Sequence, residues 1–197
     1  MIPFPDKKYQ IIYADPPWKY KEDWGNGAAK HHYKAMTMEE LRVLPVKEIA
    51  DDNCHLYLWA TNPFIREGLE LVGEWGFEYK QLITWIKTNA NNSLYMGLGY
   101  YFRVCTEQCI LAVKGRLPRL DKGIKNAFYA PHTIHSKKPP VFRDLILKHS
   151  GELPRIELFA RQHAEGWDCW GNEVANQLGE QWEIEHPGID KETGEVK

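Results

Sequence analysis

The sequence lacks any apolar run near the ~18 residues that would cross a bilayer. It also lacks the basic-then-apolar order of a secretion signal at its start, Met1-Ile2-Pro3-Phe4-Pro5-Asp6. These absences predict a cytoplasmic protein that makes no membrane contact. Its four cysteines, Cys54, Cys105, Cys109 and Cys169, show no C-x-x-C spacing, so neither a disulfide framework nor structural zinc is expected. No G-x-G-x-x-G occurs; Gly97 and Gly99 in "MGLGYY" follow no strand signal and read as loop residues. The net charge of −2 excludes a histone-like polycation and confines any nucleic-acid contact to local patches.

Aromatic side chains are plentiful: eight Trp and ten Tyr among 197 residues. That is more than a core of this size needs, so some rings are expected on a binding surface. Short, nearly continuous apolar runs at 9–14, 54–61, 82–87, 106–113, 156–160 and, more weakly, 167–171 have the pattern of strands covered on both faces. Helical stretches lie between them. Thr37 to Glu40 has capping-box spacing ahead of Leu41 and Leu44. Asn62-Pro63 opens a helix with Ile65, Leu69, Val72 and Trp75 on one face, and Pro140 opens another carrying Phe142, Leu145, Ile146 and His149 up to the stop signal Gly151. Strands alternating with helices predict one α/β domain with a doubly wound, mostly parallel sheet, over residues 1–174, followed by a polar, acidic tail at 175–197. Residues 19–34, 88–103 and 114–135 are read as long irregular loops.

The stretch "YADPPWKY", residues 13–20, ends the first strand on a carboxylate followed by two prolines. Pro16 and Pro17 fix their own φ and restrict the residue before each, so Asp15 and the Pro16 carbonyl are held in one arrangement with no N–H from either proline. A locus of acceptors beside the Trp18 ring suits an exocyclic amine on a flat base, because acceptors that grip its hydrogens stabilise the positive charge that grows as it attacks a methyl electrophile. The plainer alternative is a proline-rich turn with a solvated Asp.

Seven strings occur in order: "DPPW", "YKAMTMEEL", "LYLWATN", "ITWIKTN", "EQCILAVKG", "HSKKP" and "IELFARQHAEGWDCWGNE". In that order they resemble the MT-A70 family of S-adenosylmethionine-dependent adenine N6-methyltransferases, over roughly residues 9 to 174. The resemblance implies a Rossmann-like methyltransferase sheet in which the catalytic DPPW strand precedes the cofactor-binding strand in sequence. It implies Asp15, Pro16, Pro17 and Trp18 as the catalytic motif. Asp15, Lys138, Arg161, His163, Asn172 and Glu173 are the implied contacts to S-adenosylmethionine, with Lys138 toward the methionine end and Glu173 in place of a more familiar Gln. Tyr33 matches a tyrosine beside the active site. Ala164 replaces an Asn common in the family, and only fourteen residues precede Asp15, so the pocket for the cofactor's adenine is left unassigned.

A target adenine must be single-stranded or flipped out of its stack to reach such a site. Trp18 and Tyr33 are the candidate rings for the base, and the basic loop "KGRLPRLDKGIK" offers Lys114, Arg116 and Arg119 to phosphates. His31-His32 and the pair His132/His135 complete no ligand set, so no metal is expected. DNA is the expected substrate and RNA the alternative, with a homodimer or a partner subunit supplying any further recognition surface. Two other readings are a silent nucleic-acid-binding scaffold and methylation of a protein side-chain amide.

Overall fold

The computed structural model describes residues 3–20, 35–132 and 137–174. Seven strands form one sheet: β1 (Tyr9–Ala14), β2 (Ala50–Ala60), β3 (Glu78–Thr88), β4 (Thr106–Lys114), β5 (Ala127–Pro131), β6 (Arg155–Leu158) and β7 (Asp168–Trp170). Across the sheet they run β5-β3-β4-β2-β1-β6-β7. The pairs β1–β2, β1–β6, β3–β5 and β6–β7 are parallel. Strand β4 alone breaks the pattern, running antiparallel to both β2 and β3. The sheet is therefore mostly parallel, as the sequence predicts. The reversal of β4 nevertheless redirects two of the three long loops.

Alternation along β1 sets the layers. Ile12 and Ala14 face one apolar layer with Leu56, Leu58, Leu71, Val72 and Trp75, while Ile11 and Tyr13 face the other with Tyr57, Trp59, Trp85, Phe142 and Ile146. Helices α1 (Met38–Arg42), α2 (Val46–Ile49) and α3 (Ile65–Glu74) contribute to the first layer, and α4 (Val141–Ser150) contributes to the second. The fold is thus an α/β sheet with helices over both faces, the Rossmann-like arrangement expected. Trp59, Trp75 and Trp85 are each under 2 % exposed; truncating a buried aromatic of this kind costs about 3–5 kcal/mol.

The local chemistry of the helices follows the sequence. Thr37 caps α1 through its hydroxyl, which accepts from the Glu40 N–H at 3.2 Å, while the Glu40 carboxylate accepts from the Thr37 N–H at 2.7 Å. This is the reciprocal capping box that the spacing predicts. Gly151 ends α4 with φ of 91°, a left-handed value that glycine tolerates without a Cβ penalty.

Three features differ from the sequence reading. Strand β5 lies inside the stretch read as irregular loop, α2 was not anticipated, and β2 and β3 each begin four residues before their apolar runs. Strand β5 is an edge strand of five residues ending at Pro131. Proline is tolerated there because one side of an edge strand needs no donor, so a turn signal and a strand coincide.

Candidate active site

Strand order turns at β1, which has parallel neighbours on both sides, β2 and β6. The carboxyl end of such a strand is where open α/β sheets bind ligands, and Asp15 is the first residue beyond it. Pro16 and Pro17 stop the strand. The Trp18 N–H returns to the Pro16 carbonyl at 2.9 Å, and the Pro17 carbonyl accepts from the Met36 N–H at 2.8 Å. The turn is thereby fastened to the segment leading into α1.

Trp18 holds the turn from below. Its Nε1 donates to the Trp59 carbonyl at 3.1 Å, its ring stacks on Phe64 at 5.3 Å and 15°, and only 9 % of the residue is exposed. This corrects the assignment of Trp18 to base stacking: Phe64 lies over one face, and so little open ring remains that Trp18 anchors the turn instead.

Asp15 heads a line of four charges. Lys138 Nζ donates to both Asp15 carboxylate oxygens, at 2.8 and 2.7 Å, and pairs with Glu107 at 3.0 Å; Glu107 in turn pairs with Lys87 at 2.8 Å. The side chain of Lys138 is 8 % exposed and that of Glu107 3 %, against 22 % for Asp15, so the line opens to the surface at Asp15. Both ammonium groups lie over indoles, Lys138 over Trp59 at 5.4 Å and Lys87 over Trp85 at 4.8 Å, a favourable contact for a desolvated cation. Lys138 stands in the Lys-Pro-Pro entry to α4, so rigid backbone delivers it to Asp15 much as rigid backbone delivers Asp15.

Burial and charge set the protonation of the line. Burial raises the Asp15 carboxyl above its usual range, Lys138 opposes that, and the Glu107 charge adds to it. Burial also pushes Glu107 up, but Lys138 and Lys87 together pull it below the usual range. For Lys138, burial is outweighed by Asp15 and Glu107, so its ammonium is held above the usual lysine range. Lys138 donates to both Asp15 oxygens, which holds them in place as acceptors.

Sequence reasoning did not single out Glu107 or Lys87. The available signal was a lone acid at the head of an otherwise apolar strand and a lone lysine in "ITWIKTN", both of which read as solvent-facing positions.

At the neighbouring strand ends, Phe159 adopts φ of 62° just past β6, and the Ala160 N–H donates to the Trp170 carbonyl at 3.0 Å. A Cβ on Gly171 would overlap the Ala160 backbone, so glycine is what lets the segment after β7 lie against that turn. Arg161 and Glu173 face each other across it at 3.8 Å, and the Arg161 charge is felt at Asp15. His163 and Asn172 are exposed on the same segments. Tyr33, His31, His32 and His135 lie outside the described residues.

Lys114, Arg116 and Arg119 lie elsewhere. Because β4 is antiparallel, Lys114 pairs with Cys54 at the amino end of β2, whereas Gln108 pairs with Ala60 at its carboxyl end. Seven residues of strand, roughly 23 Å, separate Lys114 from Glu107. The Lys114 ammonium donates to the Ala50 carbonyl at 3.0 Å, and the Arg116 N–H to Asn53 Oδ1 at 2.7 Å. These basic residues, offered to phosphates by the sequence, therefore lie at the opposite edge of the sheet from Asp15. A cleft of about 340 Å³ at that edge, lined by Phe4, Pro5, Lys7, Lys8, Pro45 and Glu48, holds none of the four charges. Among the described residues, no three His, Cys, Asp or Glu side chains assemble a metal site, and no helix is long and apolar enough to cross a membrane.

A mostly parallel α/β sheet with an Asp-Pro-Pro-Trp turn at the carboxyl end of its switch strand defines a Rossmann-like methyltransferase architecture. The MT-A70 family pattern matches residues 9–173, and the chain belongs to that family, whose methyltransferases depend on S-adenosylmethionine. It is similar to the type II methyltransferase M.MunI of Mycoplasma sp, 35% identical over 191 residues that cover 86% of this chain and 79% of the relative. It is also similar to the human N(6)-adenine-specific methyltransferase METTL4, 31% identical over 85% of this chain and 38% of that protein. The human N(6)-adenosine-methyltransferase catalytic subunit METTL3 is 28% identical, over 85% of this chain and 28% of that protein. The chain thus spans most of the first relative and well under half of the two human ones.

Proposed function

We propose that this protein transfers a methyl group from S-adenosylmethionine to the N6 amine of adenine in DNA. The observation that carries the reading is the Asp15 carboxylate, held on a proline-locked turn and gripped through both oxygens by a buried lysine. A solvated turn needs no such support, which favours this reading over the plainer one.

The residues present fit the cofactor by charge. Its methionine end carries an ammonium and a carboxylate, which the opposed pair Asp15/Lys138 matches, and the polar set Arg161, His163, Asn172 and Glu173 suits the ribose and its hydroxyls. Lys138, Arg161, His163, Asn172 and Glu173 would hold it together with Asp15, which places the strand bearing the Asp-Pro-Pro-Trp turn ahead of the cofactor-binding strand end in sequence. When bound, it supplies an electrophilic methyl on a sulfonium. Asp15 then accepts a hydrogen bond from the adenine amine, and the Pro16 carbonyl can accept a second, because Trp18 engages only one of its lone pairs. Both acceptors strengthen as positive charge develops on the nitrogen, so their contribution is larger in the transition state than in the ground state. Lys138 fixes the Asp15 oxygens, and Glu107 with Lys87 keeps Lys138 charged and in place.

DNA is proposed over RNA because the chain spans most of a compact type II methyltransferase; the names of the two human relatives give adenine and adenosine as their targets. That METTL3 is named a catalytic subunit supports a partner subunit or a second copy in the working assembly. We place the protein in the cytoplasm.

The test is transfer of labelled methyl to matched DNA and RNA pools, followed by nucleoside analysis. N6-methylated deoxyadenosine from the DNA pool alone is expected. Product from RNA alone overturns the substrate assignment, and no transfer to either despite cofactor binding favours a silent scaffold.

A further inference from the structure

The segment joining β3 to β4 is built like a tool rather than a linker. Its root is tied to the charged line: the Tyr95 N–H donates to the Lys87 carbonyl at 2.9 Å, and the Lys87 N–H to the Cys105 carbonyl at 2.8 Å. Tyr95 stacks flat on His132 beyond β5, with centroids 4.1 Å apart and planes at 13°. Above this stem, residues 97–104 close as a small hairpin through paired bonds between Gly97 and Val104, at 2.9 and 3.3 Å. Both glycines are required. A Cβ on Gly97 would meet the Val104 carbonyl at 2.7 Å, and one on Gly99 would overlap the Phe102 carbonyl.

The tip of this hairpin carries Tyr100, Tyr101 and Phe102 at 89, 88 and 87 % exposed, beside exposed Arg103. Three adjacent aromatics held in water on a stem that glycine keeps tight are a binding surface. Two features indicate what they bind. The exposed tip carries Arg103 and residues 88–106 contain no acidic side chain, while Glu107 at the root is paired with Lys87 and Lys138, so the hairpin offers a polyanion a cation and no acid of its own. Five extended residues reach at most roughly 17 Å, so the tip lies within that distance of Tyr95, which is bonded to Lys87, and one nucleic acid can touch both hairpin and site.

We propose that residues 97–104 form a wedge whose aromatics Tyr100, Tyr101 and Phe102 stack on unpaired bases next to the adenine presented to Asp15. The proposal rests on the nucleic-acid reading above and adds the surface that unstacks the strand. Extruding a base leaves a gap, and apolar side chains inserted at base steps are one means of opening and filling such gaps.

The test needs no methyl transfer and no known target sequence. Binding of the full chain to a labelled single-stranded oligonucleotide, to its duplex and to the same duplex with one base missing is measured by anisotropy at several salt concentrations. The wild type, the triple variant Tyr100→Ala/Tyr101→Ala/Phe102→Ala and the control Tyr101→Phe are compared, with melting temperature and sedimentation on each. Stacking on one base is worth roughly 5- to 150-fold. The triple variant is expected to lose at least about tenfold on the single strand and the gapped duplex, with its salt slope and melting temperature unchanged, while Tyr101→Phe binds as the wild type does. Unchanged binding by the triple variant overturns the wedge. So does a change from dimer to monomer that alone accounts for the loss, which makes the hairpin an interface between copies. A wild type that binds through the tip but methylates nothing keeps the wedge and sinks the catalytic reading instead.

Discussion

The two edges of the sheet each bury a polar cluster, and the clusters are opposite in kind. At the carboxyl edge stand four charged groups in line, Asp15, Lys138, Glu107 and Lys87. At the amino edge, His55, Ser150, Tyr57 and His149 are joined by neutral hydrogen bonds: His55 Nδ1 to Ser150 Oγ at 2.7 Å, Tyr57 Oη to Ser150 Oγ at 2.8 Å, and Tyr57 Oη to His149 Nδ1 at 2.7 Å. His55 Nε2 and the Leu117 carbonyl complete the set at 3.2 Å, tying the basic loop to the core. Burial drives the His55 imidazole down to about 4 and holds the Tyr57 hydroxyl above its usual range. The neutral cluster satisfies itself, as a structural network should. The charged one does not need its charges for stability, since buried ion pairs are often matched or bettered by apolar packing. Four linked charges with Asp15 at the open end mark the carboxyl edge as the working site, whereas at the amino edge Arg155, 13 % exposed, pairs outward with exposed Glu152.

The largest effect should come from the head of the line. Asp15→Ala is expected to lower methyl transfer by at least about 100-fold, the scale of removing one transition-state partner, while cofactor affinity by calorimetry changes by less than tenfold. Next comes Lys138→Ala, which leaves Asp15 and Glu107 facing each other without their shared cation. It should weaken cofactor binding and reduce stability by about 3–5 kcal/mol in denaturant unfolding; an unchanged cofactor affinity would remove Lys138 from the binding role.

The amino edge should be sensed by acid instead. The His55 pKa in the folded protein lies below its free value, so the unfolded chain takes up a proton that the folded chain refuses. Stability is full above pH 6.5 and falls as pH drops toward 4. Between pH 7 and 5 the loss should be about 2 kcal/mol, read from denaturation midpoints, and His149, also lowered by burial, acts in the same direction. Below about 4.5 the lowered Glu107 carboxyl adds its own loss, which the raised Asp15 partly offsets. Tyr57→Phe, which deletes one shared hydroxyl, should cost about 1 kcal/mol without altering transfer. The smallest effect belongs to Arg116→Ala at the far edge, where stability should move by less than about 0.5 kcal/mol and transfer should match the wild type. A large loss of transfer there would break the division between the edges.

Much of this division was legible before folding. The run 9–14, the two prolines behind Asp15 and the helix starts at Thr37 and Pro140 each act through local stereochemistry, and β1, α1 and α4 form at those places. What local chemistry could not supply was direction. The apolar run 106–113 does not tell which way β4 runs, so the sequence does not say at which edge the loop with Lys114, Arg116 and Arg119 emerges. The antiparallel course of β4 moves that loop away and instead sets the aromatic loop 89–105 beside Lys87. Glu107 and Lys87 stayed hidden for a related reason. Each is a single charge in a strand, and what joins them to the site is Lys138, brought to Glu107 from a segment far along the chain.

The chemistry turns on Asp15, and Asp15→Asn tests its role with shape preserved and charge removed. Single-turnover transfer to adenine and the cofactor dissociation constant would be measured on the same preparation. A fall of at least about 100-fold in the rate, with the dissociation constant changed by less than tenfold and the fold intact, is the predicted result. A rate near that of the wild type would contradict the account, because the acceptor at the end of β1 would then play no part in the chemistry.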